Sequence, residues 1–82
     1  MKIERKLKKL GYKRDGDKYH KKYKSLNLYI CPPSEEFGGG KIWYGAISPN
    51  NGQFEDMLIA SSIIRSDLNE FSIWRRDNEK DR

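Results

Sequence analysis

Cysteine is nearly missing from this chain: Cys31 stands alone among 82 residues. A single thiol excludes a disulfide within one copy, and small secreted domains lean on such links. The expected compartment is therefore a reducing one, the cytoplasm. Histidine is as scarce, with His20 only. One Cys and one His cannot build a zinc site from a single copy. No nucleophile–histidine–acid set stands out either. Neither a metal nor a cofactor is expected, and the chain reads as a binding protein, not an enzyme. Long apolar runs are lacking too. The most apolar one, Met57–Ile64, is interrupted by two serines, and a span of the bilayer needs about 20 apolar residues. No apolar segment of the secretory type follows the charged first ten residues. No membrane partner is expected. Prolines number three and glycines seven, with no repeat, which excludes a low-complexity chain or a solenoid.

What remains is a small, charged and aromatic chain. Charged residues make up 35% of it, but ten aromatic side chains offer enough apolar area to hold a thin core. Acids are scarce at one end. Met1–Lys24 holds eleven of the 17 Lys and Arg residues and three acids, a net charge of +8, while the other 58 residues carry −3. The overall +5 conceals that polarity.

Taken in order, Met1–Leu10 predicts a helix, with Ile3, Leu7 and Leu10 on one face and Gly11 placed to end it. Lys2, Lys6, Lys9 and Lys13 form a stripe beside the apolar one. Asp15-Gly16 predicts a type I′ hairpin turn between Tyr12–Arg14 and Asp17–Lys24. In the second arm Tyr19, Lys21 and Tyr23 alternate with Lys18, His20, Lys22 and Lys24, so one face is half aromatic and the other basic. Leu26–Cys31 alternates again, either continuing that strand or following a turn at Ser25, and Pro32-Pro33 ends it. Lys41–Ser48 is the clearest strand, rich in Ile and aromatic residues. Pro49-Asn50-Asn51-Gly52 is a turn. Gln53–Leu68 reads as an amphipathic helix with Glu55 and Asp56 at its positive end; a strand over Phe54–Ala60 is the alternative. Asn69 would end that helix and Phe71–Arg76 would form a last strand, or else a second helix capped by Ser66 would take its place.

The expected fold is α+β: an N-terminal helix, a three- to four-stranded antiparallel sheet, and a second amphipathic helix packed on one sheet face. Residues 1–76 form the single domain and 77–82 a polar, frayed tail. The other sheet face is then partly open, beginning with the basic residues of Lys18–Lys24.

The function expected from this pattern rests on the basic head. Several cations within reach of a polyanion release its counterions, and the interleaved Tyr12, Tyr19, Tyr23 and Tyr29 could stack on bases of a single strand. The residues taken to meet nucleic acid, or a protein bound to it, are Lys6, Lys9, Lys13, Arg14, Lys18, His20, Lys22 and Lys24. The lysines among them, from Lys6 to Lys24, are expected to form one contiguous patch. A small inhibitor or adaptor docking on a larger protein is the first alternative. The second is a ribonuclease-like enzyme with His20 as general base. Helix, strands and helix with a strand histidine resemble the order of HicA-type ribonuclease toxins. Lys18-Tyr19-His20 stands where those have Gly-Ser-His, so no residue role carries over. Gly38-Gly39-Gly40 followed by Lys41-Ile42 lacks the Walker pattern and reads as a loop. Pairing of open sheet edges is a route to a homodimer that would double the basic surface. Trp43 and Trp74 are candidates for core anchors or, if exposed, for interface residues.

Overall fold

The structure, a computed structural model, describes the backbone of residues 2–36, 40, 42–49 and 52–80 and the side chains of 5–36, 40, 42–49 and 52–73. Helix α1, Lys2–Lys9, leads into strands β1, Lys13–Asp15, β2, Lys18–Tyr23, β3, Leu26–Cys31, and β4, Tyr44–Ser48; helix α2, Phe54–Lys80, follows. The strands form one antiparallel sheet in chain order, β1-β2-β3-β4. This is the expected α+β architecture. Among the described residues no helix is long and apolar enough to cross a membrane.

α1 ends as its sequence dictates. Gly11 takes φ +97°. Its N–H bonds the Lys8 carbonyl at 3.0 Å, and the Tyr12 N–H bonds the Leu7 carbonyl at 2.9 Å. Those two bonds make a Schellman motif, and Leu7 and Tyr12 supply its customary apolar contact inside the core. Met1 lies outside the described residues.

The first hairpin differs from expectation by one residue. Asp15 pairs with Lys18, so Gly16 and Asp17 are the central pair. Only Gly16 has positive φ, at +67°, which is the type II′ pattern, not type I′. The second hairpin turns at Lys24-Ser25, between Tyr23 and Leu26, with Lys24 at φ 55°. β4 is shorter than Lys41–Ser48. It starts at Tyr44; Ile42 is exposed and outside the strand, and Lys41 lies outside the described residues, as do Gly38, Gly39, Asn50 and Asn51.

The C-terminal third corrects the expected boundaries. α2 starts at Phe54 and runs unbroken through Leu68, Asn69 and the segment read as a strand, Phe71–Arg76, to Lys80. Neither a strand over Phe54–Ala60 nor a second helix forms. The reason is legible afterwards: from Gln53 to Arg82 there is neither Gly nor Pro, and nothing interrupts propagation. The four-residue alternation at Phe71 is outweighed because Ala60, Ile64 and Phe71, at spacings of four and seven, stay on one buried face. Residues 77–80 continue the helix; 81–82 and the Trp74 side chain lie outside the described residues.

Both helices cover the same sheet face. Leu7, Tyr12, Tyr19, Ile30 and Phe71 form one buried cluster, with Leu10, Trp43 and Leu68 against it. Trp43 meets Phe71 edge-on at 5.2 Å and Tyr19 at 6.2 Å between ring centroids. Leu26, Leu28, Ala60 and Ile64 form a second cluster, joined by Tyr23, Ile47, Met57 and Ile63. Between the two lies a polar layer. On β2, Lys21 separates Tyr19 from Tyr23. On α2, Asp67 separates Phe71 from Ile64. Lys21 Nζ meets Asp67 Oδ2 at 2.5 Å and also donates to the Leu10 carbonyl at 2.8 Å. Tyr12 donates its hydroxyl to the same Asp67 oxygen at 3.1 Å. Burial, with the Asp67 charge adding to it, pushes the Tyr12 phenol well above its ordinary range.

Candidate nucleic-acid interface

Register decides which residues share a face, because directly opposed residues in an antiparallel pair point the same way. Tyr19, Lys21 and Tyr23 stand opposite Ile30, Leu28 and Leu26 and face the helices. Their neighbours therefore face away. The far side of the sheet carries Lys13 and Asp15 from β1, Lys18, His20 and Lys22 from β2, Asn27, Tyr29 and Cys31 from β3, and Tyr44, Ala46 and Ser48 from β4. Neither helix packs on it. The open face anticipated at Lys18–Lys24 is thus built from all four strands.

At its centre, His20 and Tyr29 stand opposite each other with ring centroids 5.1 Å apart and planes tilted by 35°. Lys18 Nζ lies 4.7 Å from the Tyr29 ring centroid, within cation–π reach. The histidine is held from the side. Asn27 donates its amide to the Ser48 carbonyl at 3.1 Å. A carbonyl can only accept, so the amide nitrogen faces Ser48 and Asn27 Oδ1 faces His20 Nε2, 2.7 Å away. Nε2 therefore carries a proton and donates it. Lys18 and Lys22 flank this pair along β2, about 13 Å apart at strand spacing. Lys13 lies opposite His20. Beyond Lys18, a hollow of about 230 Å³ is lined by Asp17, Lys18, Cys31, the two prolines, Ser34 and Tyr44. Burial pushes the Cys31 thiol upward, with Lys18 and Tyr44 partly opposing the shift.

The eight residues singled out from sequence do not all gather here. Lys13, Lys18, His20 and Lys22 share the open face. Arg14 alternates away from it and donates from Nε to the Gly16 carbonyl at 3.2 Å. Lys6 reaches toward α2 and pairs with Glu70 at 3.5 Å. Lys24 does likewise with Asp56 at 2.9 Å. Lys9 is exposed in the last turn of α1. The single contiguous patch is therefore divided: acids of α2 draw two of its six lysines to the helical side. The tyrosines divide as well. Tyr12 and Tyr19 belong to the core, and Tyr23 packs against it. Tyr29 alone of the four reaches the open face. Sequence reasoning passed over Asn27 and Tyr44, although the alternation of Leu26–Cys31 already put Asn27 and Tyr29 together.

A face of this kind offers two aromatic rings in contact, three lysines without a carboxylate partner among the described residues, and one amide. It can stack a flat ring and neutralise anions on either side. Compared with known proteins, the chain matches no protein-family model, no curated protein and no solved structure.

Proposed function

We propose that this chain is a non-enzymatic binding protein that takes single-stranded nucleic acid across the open sheet face. The observation that carries the reading is the His20–Tyr29 ring pair, set outward beneath Lys18 and flanked by Lys13 and Lys22. Stacked aromatics suit unpaired bases, because a base inside a duplex presents no free ring face. The lysines supply affinity that does not depend on base sequence. A single, buried cysteine fits a reducing, cytoplasmic setting.

Anisotropy titrations of labelled single-stranded RNA, single-stranded DNA and duplex test this. Single strands are expected to bind more tightly than duplex. Three lysine contacts give a log–log salt slope of about −2 at about 0.7 per phosphate. Tyr29→Ala should weaken binding roughly tenfold, within the range for one stacked base. Lys18→Ala and Lys22→Ala should each flatten the slope, while Lys24→Ala, already paired with Asp56, should leave it nearly unchanged. No binding at low salt, or binding indifferent to Tyr29, overturns the reading. In that event a nuclease-resistant pull-down of one stoichiometric protein would support the inhibitor or adaptor alternative.

A further inference from the structure

The two edges of the sheet differ. β1 is three residues long and all of them, Lys13, Arg14 and Asp15, are exposed and charged. Such an edge discourages pairing. β4 is the opposite edge, and from Ile42 to Ser48 the sequence carries no charge. Among the described residues no strand pairs with the outer side of 45–48. Beside it runs an open groove of about 340 Å³ between β4 and α2, lined by Gly45, Ile47, Ser61, Ile64, Arg65 and Leu68.

The flank of α2 above that groove is unusual in a chain this charged. Phe54, Leu58, Ser61, Arg65 and Leu68 follow at intervals of four, three, four and three residues, so they lie along one side of the helix. Ser61, Arg65 and Leu68 line the groove, which places this side next to β4. Phe54 is 75% exposed and Leu58 53%. Three–four spacing is that of a seam where two helices pack side by side.

We propose that this edge and flank form one surface whose partner is a second copy of the chain, joined β4 to β4 in antiparallel fashion about a two-fold axis. Geometry favours that occupant. Strands stand about 4.8 Å apart, and α2 rides over β3 and β4. Joining the two sheets therefore sets the two α2 axes about 10 Å apart, the upper end of the distance at which helices pack. The same two-fold contact zips both layers, strand to strand and helix to helix. An identical strand is its own antiparallel partner, so the surface is self-complementary. Charge points the same way. The strand order of the pair runs from one β1 to the other, which keeps the two +8 heads at opposite ends. Between the copies the described flank carries one charge each, Arg65. Because the axis stands normal to the sheet, both open faces remain on the same side and merge into one.

Sedimentation of nuclease-treated protein at high salt, from micromolar to near-millimolar concentration, tests the pairing without reference to nucleic acid. The wild-type chain should move to twice its 9.7 kDa mass. Leu58→Lys, at an exposed site that the fold does not need, should remain at 9.7 kDa with an unchanged circular dichroism spectrum. Ile73→Lys, on another side of α2, should still dimerise. Amide exchange at 45–48 should slow with concentration in the wild type and not in Leu58→Lys. A wild-type chain that stays monomeric throughout overturns the proposal and leaves the edge to an extended segment of another protein. A dimer that survives Leu58→Lys with exchange at 45–48 independent of concentration overturns it as well.

Discussion

The Cβ that Gly45 lacks would stand 3.1 Å from both Cδ1 and Cγ1 of Ile64. At that point β4 and α2 approach as closely as a hydrogen side chain allows. Ile64 packs on one side against Leu26, Leu28 and Ala60, which limits its retreat from β4, while its other side borders the open groove. Gly45→Ala is expected to destabilise the fold by about 1 kcal/mol, overpacking outweighing the entropy gained in the unfolded chain. Adding Ile64→Val removes one of the two clashing atoms. The double variant should then lose less than the sum of the singles in urea titrations, and strict additivity would refute the contact.

The Lys21–Asp67 pair predicts a second asymmetry. Both side chains are largely shielded, at 20% and 14% exposure. Removing one partner strands the other in the core. Lys21→Met or Asp67→Ala alone should cost about 2–4 kcal/mol. Replacing both, as Lys21→Met with Asp67→Leu, should recover most of that loss, since an apolar layer needs no counter-charge. Chemical denaturation of the four proteins measures the coupling, which a surface ion pair would show only at about 0–1 kcal/mol.

Tyr12 makes stability depend on pH at the alkaline end. Its folded phenol titrates above the ordinary value of 10.0 because burial and Asp67 disfavour the phenolate. In the unfolded chain the phenol ionises at that ordinary value. Above it the unfolded state holds fewer protons than the folded one, so stability is intact below that pH and falls as pH rises through it. Urea midpoints measured across this range should decline for the wild type. They should decline less for Tyr12→Phe, and the tyrosinate absorbance step that accompanies alkaline unfolding should shrink by one residue.

Lys24 sits at φ 55°, a left-handed conformation that costs a residue with a Cβ and not glycine. It also pairs with Asp56. Lys24→Gly removes both the strain and the pair. At high salt, where an exposed pair is screened, the substitution should raise the urea midpoint. At low salt the gain should be smaller. Lys24→Ala, which loses the pair and keeps the strain, should lower the midpoint at low salt.

Much of the architecture could be read from local pattern. Gly11 marked the end of α1, alternation marked β2 and β3, and the acids Glu55 and Asp56 marked the start of α2. The departures arise where a local cue competes with a tertiary contact. Asn69 is a local stop signal, but a run free of Gly and Pro lets the helix continue when Phe71 can be buried. Local pattern groups Lys6 and Lys24 with the other lysines of the head, whereas their partners, Glu70 and Asp56, lie 64 and 32 residues further along. Residue type alone groups Tyr12 and Tyr19 with Tyr29, although both belong to the core. Strand parity separates Tyr19 from its neighbours on β2, and the Schellman turn sends Tyr12 inward. One polar cue was available in advance: Asp67 falls on the same helical face as Ile64 and Phe71, a place where an acid needs a cation across from it.

That acid also sets the axial phase of the helix. Ala60, Ile64 and Phe71 offer apolar side chains at several heights along α2, and a slide of one turn, about 5.4 Å, would still put hydrocarbon over the sheet. It would take Asp67 away from Lys21 and Tyr12 and pull Glu70 and Asp56 off Lys6 and Lys24. The ionic layer therefore works as an alignment key between two apolar halves, selecting one setting of helix against strand from several that greasy contact alone would accept. The placement of Ile64 over Gly45 follows from the same setting, which the Tyr12–Asp67 bond and the Lys6–Glu70 and Lys24–Asp56 pairs also hold.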